Sequence, residues 1–223
     1  MSLVATDHGK VKMSQLALRS GERGVLIGQT GSGKTWFAKA MLGAYIGRRQ
    51  CIVVDTKGDS SFNRLKGASY VTTLRGVQRA KFPRVPIVVW RPHGAEAADF
   101  DIFDNFYSWI YERGNTVVLI DEVTQTVQSP TSFGKGFNDV VCRGRVRNLI
   151  VLYGTQRPVL LPRIIFSEST RFYVFYITDK RDRQTVAGFT NPALEREIPD
   201  RHGLMYFNIK TREVAYYSGL DLT

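Results

Sequence analysis

Cysteine and histidine are the scarcest chemically useful residues in this chain. Cys51 and Cys142 are its only cysteines, and His8, His93 and His202 its only histidines. Two thiols and three scattered imidazoles give no metal-ligand spacing, so no metal site of that kind is expected. Cys51 opens an apolar run and Cys142 sits in a helical stretch; both read as small core residues. Long hydrophobic runs are also missing, and none approaches the roughly 20 residues of a membrane span. The first eight residues, Met1 to His8, hold no apolar h-region, which argues against a signal peptide. No internal repeat, low-complexity segment or linker interrupts the sequence. The expectation is a protein of a reducing, soluble compartment.

Acidic residues are outnumbered. Twenty Asp and Glu face 31 Lys and Arg, a formal net charge of +11 over 223 residues. That balance favours a polyanionic partner, nucleic acid first and an acidic membrane surface second. The charge is uneven. From Arg48 to Arg91 ten Lys and Arg meet only Asp55 and Asp59. From Glu96 to Asp139 the acids dominate, with Asp99, Asp101 and Asp104 among them, and from Arg143 to Arg183 basic residues dominate again. The length suits one α/β domain and is too short for two large ones. A chain of this size buries about 70% of its unfolded surface and needs no covalent staples.

What is present is a glycine-rich stretch, Gly28-Gln29-Thr30-Gly31-Ser32-Gly33-Lys34-Thr35, that fits the phosphate-binding pattern G-x-x-x-x-G-K-[ST] at every fixed position. The apolar run Gly24-Val25-Leu26-Ile27 before it reads as a buried strand. The stretch from Thr35 to about Ile46 after it reads as a helix. Strand, loop and helix let the loop N–H groups converge on phosphate oxygens at a positive helix N-terminus. Lys34 is then expected to reach the β- and γ-phosphates of ATP, and the Thr35 hydroxyl to ligate Mg2+. Two basic blocks flanking such a site turn the charge reading towards DNA or RNA; alone, either block reads as a solvated face.

Further apolar runs alternate with helical stretches. Cys51 to Asp55, Ser69 to Thr72, Pro86 to Trp90, Thr116 to Glu122, Leu149 to Gly154 and Phe172 to Ile177 read as strands. Val11 to Leu18 partly alternates and reads as an edge strand. Ala95 to Arg113, Phe133 to Arg147 and Lys180 to Gly188 read as helices. The first of these carries an aromatic stripe of Phe100, Phe103, Phe106 and Trp109, expected in the core or a subunit contact. Met205 to Ile209 and Val214 to Tyr217 read as a terminal hairpin. The pattern predicts an α/β fold of the P-loop NTPase type: a mainly parallel, doubly wound, RecA-like sheet with a C-terminal β-hairpin. Residues 1–223 are expected to form one ATPase domain, with 1–20 as a lead-in.

The strand 116–122 ends in Asp121-Glu122. Asp121 is expected to hold Mg2+, and Glu122 to orient and deprotonate an attacking water. A Glu in that place suits hydrolysis rather than transfer to a bound acceptor. The next strand ends in Gly154-Thr155-Gln156-Arg157-Pro158. There Gln156 can hydrogen-bond the γ-phosphate or the lytic water.

In this order the three motifs resemble the FtsK–HerA superfamily of DNA-pumping ATPases. Val53-Val54-Asp55-Thr56-Lys57-Gly58-Asp59 and Arg143-Gly144-Arg145-Val146-Arg147-Asn148 agree with it. The resemblance covers about residues 20 to 180 and is most specific at Thr155-Gln156-Arg157-Pro158. It implies a homo-oligomeric ring, usually a hexamer, that threads double-stranded DNA, with each active site completed by a neighbour's arginine. It places that arginine at Arg145, with Arg143 the nearest rival and Arg147 the next. The segment from Gln128 to Gly136, with Lys135, is the candidate DNA-contacting loop. Without a membrane segment, linker or DNA-orienting domain, the chain is similar to the genome-packaging ATPases of tailless icosahedral viruses with an internal membrane. That implies host cytoplasm or a virion vertex, with capsid or membrane-associated packaging proteins as partners. Two other readings stay open: a secretion- or conjugation-type ATPase of the same superfamily, and a slow nucleotide-dependent assembly factor that moves nothing. Glu122, Gln156 and the arginine cluster argue against the second.

Overall fold

The computed structural model describes residues 9–221. In chain order the elements are β1 (Lys10–Lys12), α1 (Met13–Leu16), β2 (Arg23–Ile27), α2 (Lys34–Gly43), β3 (Cys51–Val54), β4 (Ala68–Val71), α3 (Leu74–Arg79) and β5 (Ile87–Trp90). They continue with α4 (Ala95–Ala98), α5 (Phe100–Arg113), β6 (Val117–Ile120), α6 (Lys135–Arg143), β7 (Ile150–Thr155), α7 (Arg163–Glu168) and β8 (Arg171–Val174). The last are α8 (Lys180–Phe189), β9 (Leu204–Asn208), β10 (Glu213–Tyr217) and β11 (Gly219–Asp221).

Nine strands form one sheet in the order β10-β9-β8-β2-β7-β6-β3-β5-β4. From β8 to β4 every pairing is parallel; β9 runs antiparallel to β8, and β10 to β9. The central strands are continuous apolar runs because successive side chains point to opposite faces and both faces are covered. Val25, Ile27, Ile52, Val54, Val118, Ile120, Val151 and Tyr153 join one core with α5, α6 and α7. Leu26, Cys51, Val53, Val117, Leu119, Ile150 and Leu152 join a second core with α2 and the N-terminal segment. The expected doubly wound, mainly parallel sheet and its terminal hairpin are both present.

Several boundaries differ for local reasons. Residues 11–18 are not one edge strand. After β1, which pairs with β11, the helix formers of Met13–Leu16 close a single turn that buries Leu16, and Leu18 follows it into the same core. The helix expected over 95–113 breaks at Asp99, whose carboxylate accepts the Asp101 N–H and caps α5. The helix expected over 133–147 is α only from Lys135 to Arg143; a tighter turn, Gly144–Arg147, follows and stops at Asn148 in the left-handed region, φ 55°. α2 stops at Gly43, leaving Ile46 exposed. Cys51 is a core residue, whereas Cys142 is only half-buried on α6. No helix among the described residues is long and apolar enough to cross a membrane.

The aromatic stripe on α5 is core. Phe103 and Phe106 are buried against Trp90, with ring centroids 5.5 and 5.1 Å away, while Phe100 at the helix start is 37% exposed. Phe106→Ala should therefore cost about 3–5 kcal/mol in a denaturant melt, and Phe100→Ala at most about 1 kcal/mol. Equal costs would show that the stripe does not carry the core.

Candidate active site

All strands from β8 to β4 point the same way, so their C-terminal ends line one edge of the sheet. The glycine-rich segment leaves β2 at that edge. Gly31 and Gly33 adopt φ of 76° and 96°, the left-handed region that side chains avoid. The segment is tied down on both sides: Gly28 N–H donates to Thr155 O, Gln29 N–H to Tyr176 O, and the Gln29 side chain to the Thr178 hydroxyl. It runs into α2, whose N-cap Gly33 supplies no side-chain hydrogen bond and whose first turn holds no acid. The first-turn N–H groups and the positive helix end are thus left for an anion. The Ser32 hydroxyl is buried and unpartnered among the described residues, a further donor within the loop. Thr30 lies exposed at the outer bend.

Strand order brings the other motifs to this loop. β7 lies between β2 and β6. Gln156, just past β7, therefore sits between the loop and the acids that follow β6. Its backbone N–H donates to Glu122 Oε2 at 3.1 Å, and its side-chain amide makes no hydrogen bond among the described residues. The approach is possible because residue 154 is glycine: a Cβ there would lie 2.3 Å from Asp121 O. Asp121 and Glu122 are both 4% exposed and Lys34 is 5% exposed. Lys34 Nζ stands 3.9 Å from Asp121 Oδ1. Burial raises the Asp121 carboxyl above the ordinary aspartate range; Lys34 opposes this, and Asp55 and Asp59 add to it.

Sequence reasoning assigned no role to a second layer that follows β3. Lys57 Nζ pairs with Glu122 Oε2 at 2.9 Å, and the Thr124 hydroxyl donates to Glu122 Oε1 at 2.9 Å. With the Gln156 N–H, these hold the carboxylate from three sides. Arg91, at the end of β5, binds Asp55 Oδ2 at 2.7 Å and Asp59 O at 2.9 Å, fixing the turn that carries Lys57. The Thr35 hydroxyl donates to Asp59 Oδ2 at 3.4 Å. Burial works against the Asp59 charge, but hydrogen bonds from Ser61 and Thr35 and the Lys34 charge hold its carboxyl below the ordinary range. Arg201 was likewise unforeseen: its Nη2 would lie 3.1 Å from a Cβ on Gly31. Nothing in the local sequence signals it, because it arrives from the loop before β9.

The donor set suits Mg2+ bound with a nucleotide. Among the described residues no group of three or more His, Cys, Asp or Glu could cage a metal. Mg2+ needs no such cage, since it takes one or two protein oxygens and completes its shell with phosphates and water. The Thr35 hydroxyl and the Asp121 carboxylate could supply those oxygens, beside the helix end that would hold the phosphates.

The three candidate arginines lie before β7, at the opposite end of the strand. β7 has six residues, so roughly 20 Å separates them from their own phosphate loop. Arg147 donates to the carbonyls of Tyr111 and Glu112 and ties the turn to α5. Arg143 pairs with Asp139 at 3.3 Å and lies over the Tyr111 ring. Arg145 is exposed, and its guanidinium makes no hydrogen bond or ion pair among the described residues. Lys135 begins α6, exposed and paired with Asp139 at 2.8 Å. Arg157, beside Gln156, is committed to Asp182 at 2.9 Å.

A phosphate loop, an acid pair after β6 and a strand inserted between them define a RecA-like P-loop NTPase. No family model matches the sequence. The DNA packaging ATPase P9 of Enterobacteria phage PRD1 is 31% identical over 176 residues, which span 78% of this chain and 73% of P9. The chain belongs to the family of viral DNA-packaging ATPases that includes P9, within the FtsK–HerA superfamily whose motif order it shares. Among solved structures, the genome packaging NTPase B204 of Sulfolobus turreted icosahedral virus 2, in complex with ATP-gammaS, matches with a TM-score of 0.73 at 16% identity, over 89% of this chain and 97% of B204. The pCW3 conjugation coupling protein TcpA matches with a TM-score of 0.60 at 12% identity, over 92% of this chain and 61% of that one. At such identities these two matches speak for the fold.

Gly154→Ala tests the crossing between β7 and β6. A displaced strand end should leave nucleotide binding intact and lower turnover by about a hundredfold, since misplacement near 1 Å costs that much. Unchanged turnover would mean that the close approach does not position the site.

Proposed function

We propose that this chain is a single-domain ATP hydrolase that drives double-stranded DNA, a viral genome, into a preformed capsid. The observation that carries the hydrolase part is Glu122, buried just past the end of β6 and bonded to the Gln156 backbone at the end of the inserted strand β7. Membership of the DNA-packaging family supports the cargo, and the net charge of +11 suits a polyanion.

In this reading Gly28 to Thr35 cradle the phosphates and Lys34 turns from Asp121 to the β- and γ-phosphates. Thr35 and Asp121 would hold Mg2+, which would supply positive charge beside the phosphoryl oxygens. Glu122 accepts the proton of the attacking water, Lys57 keeps that carboxylate oriented, and the free Gln156 amide positions the water. Arg145 acts on a neighbour's site, because its own lies a strand length away. A guanidinium offers the fixed, two-pronged cation that the γ-phosphoryl group needs. Chains therefore work as a ring, with Lys135 and its loop towards the DNA, in the host cell or at a virion vertex beside capsid or membrane-associated packaging proteins.

The first test is ATPase activity with and without linear duplex DNA, beside a mass measurement of the oligomer. DNA should stimulate turnover. DNA affinity should fall by roughly 10³–10⁵ between 50 and 200 mM salt for about six to ten phosphate contacts, with little dependence on base sequence. Stimulation by a protein alone would favour a secretion ATPase or an assembly factor.

Two variants separate binding from chemistry. Lys34→Ala should lose nucleotide binding and turnover together. Glu122→Gln should bind ATP yet lose on the order of 10²–10⁴ in rate, the usual worth of a general base. Wild-type turnover in Glu122→Gln would remove Glu122 from that role.

Mixing subunits locates the arginine. Arg145→Ala and Lys34→Ala rings should each be inactive, since such a finger is worth about 10³–10⁵ in rate. A mixed ring contains some interfaces with an intact loop facing an intact Arg145, so partial recovery is expected. If mixed rings form and stay inactive while Arg143→Ala mixtures recover, the role passes to Arg143.

A further inference from the structure

Opposite charges without partners stand at opposite edges of the sheet. α2 runs back from the phosphate loop, so its last turn lies at the N-terminal edge, as do Arg19 before β2 and Arg171 at the start of β8. There an open groove of about 830 Å³ combines an apolar floor of Leu18, Ala40 and Ala44 with the cations Lys12, Arg19 and Arg48. A Cβ on Gly43, in the same groove, would meet nothing within 4 Å. No Asp or Glu lines it. Arg171, which also lines it, is committed to Glu22 at 3.1 Å. Arg19 and Arg48 are exposed, and their guanidinium groups make no ion pair among the described residues.

The counterpart lies at the other edge. β5 ends at the C-terminal edge, so α4 and the first turn of α5 stand there. Residues 95–104 carry Glu96, Asp99, Asp101 and Asp104 and no Lys or Arg. Glu96, Asp99 and Asp104 accept backbone N–H groups from Leu74, Asp101 and Phe137. None of the four carboxylates forms an ion pair among the described residues. Asp101 is exposed, and Phe100 beside it is 37% exposed. One chain cannot bring this corner to its own groove. The 14 residues of α5 span the distance between the two edges, roughly 21 Å at the helical rise.

We infer that the groove at the end of α2 seats the α4–α5 corner of a second copy of this chain, with Phe100 on the apolar floor and Asp99 and Asp101 against Arg19 and Arg48. A phosphate backbone has nothing to place on an apolar floor, whereas a protein segment with an exposed ring between two acids does. The two surfaces are unlike, so the contact runs head to tail and can close into a ring. The inference rests on the ring reading and adds the surfaces that meet. It also agrees with a finger supplied in trans. A Cβ on Gly21, two residues past Arg19, would lie 3.0 Å from the Arg145 side chain. The edge that receives the neighbour's acidic corner is thus the edge that carries Arg145, and the corner belongs to the edge that carries the neighbour's phosphate loop.

Engineered cysteines test the contact in the full chain: Ala44→Cys in the groove and Phe100→Cys in the corner, with Cys142→Ser to remove the half-buried native thiol. The chain carrying both should give a ladder of disulfide-linked oligomers under mild oxidation, reversed by reductant. A mixture of the two single-cysteine chains should stop at dimers. Charge reversal gives a second readout. Arg19→Glu with Arg48→Glu, and separately Asp101→Lys, should each weaken self-association about tenfold or more in sedimentation, the scale of like charges brought together at an interface. Combining all three should restore part of the loss. Thermal melts close to wild type would show that the reversals leave the fold intact, and the ladder reads the contact without them. Rings that form by mass but give no ladder would overturn the contact and leave the ring reading standing. Reversal variants that assemble like wild type would also overturn it, and if they lose DNA affinity the groove is a phosphate-backbone site. A wild type that stays monomeric with ATP and duplex DNA present would remove the ring reading and this contact with it.

Discussion

Charge balance at the C-terminal edge of the sheet is the constraint on which the rest of the structure depends. Asp55, Asp121 and Glu122 are all buried there. An isolated buried carboxylate costs several kcal/mol, so each must find a cation. Each does: Arg91 for Asp55, Lys34 for Asp121 and Lys57 for Glu122. The pairs are unequal. Arg91 and Lys57 lie within 2.9 Å of their partners, whereas Lys34 stands 3.9 Å from Asp121. Lys34 is accordingly the cation most available to a new anion, and it is the one at the helix end that attracts one.

Parallel topology is what gathers these charges. Residues at the ends of β3, β5 and β6 meet because those strands are neighbours running the same way. The same geometry separates the Arg143–Arg147 turn from the site, since it precedes β7 while Gln156 follows it. One chain therefore gathers its candidate phosphate-side groups at one edge and leaves Arg145 exposed, with a guanidinium unpaired among the described residues, at the other. In the proposed ring that division makes hydrolysis depend on how two subunits meet.

The C-terminal hairpin extends the sheet beyond β8, and the segment leading into it reaches back over the phosphate loop. Arg201 and His202 belong to that segment and face opposite flanks of the loop. A peripheral pair of strands thereby contributes to a site whose motifs all lie before residue 160.

By itself the sequence determined the local pieces. The loop from Gly28 to Thr35, the strands before and after it, the Asp121-Glu122 pair, Gln156 and the terminal hairpin were legible because each depends on residues close in sequence. Apolar runs revealed strands covered on both faces. Local competition was harder to see: the Asp99 cap splits a helix, and Asn148 ends one, through single hydrogen bonds and backbone angles that periodicity does not register. Tertiary structure alone decided the strand order that inserts β7 between β2 and β6, the close crossing at Gly154, and the partners of Asp55 and Glu122. It alone placed His202 beside Gly33, about 170 positions away. The reason is physical. Alternation along a strand states which face a residue takes and never which strand will lie beside it. That choice is settled only when the whole sheet buries both of its faces at once.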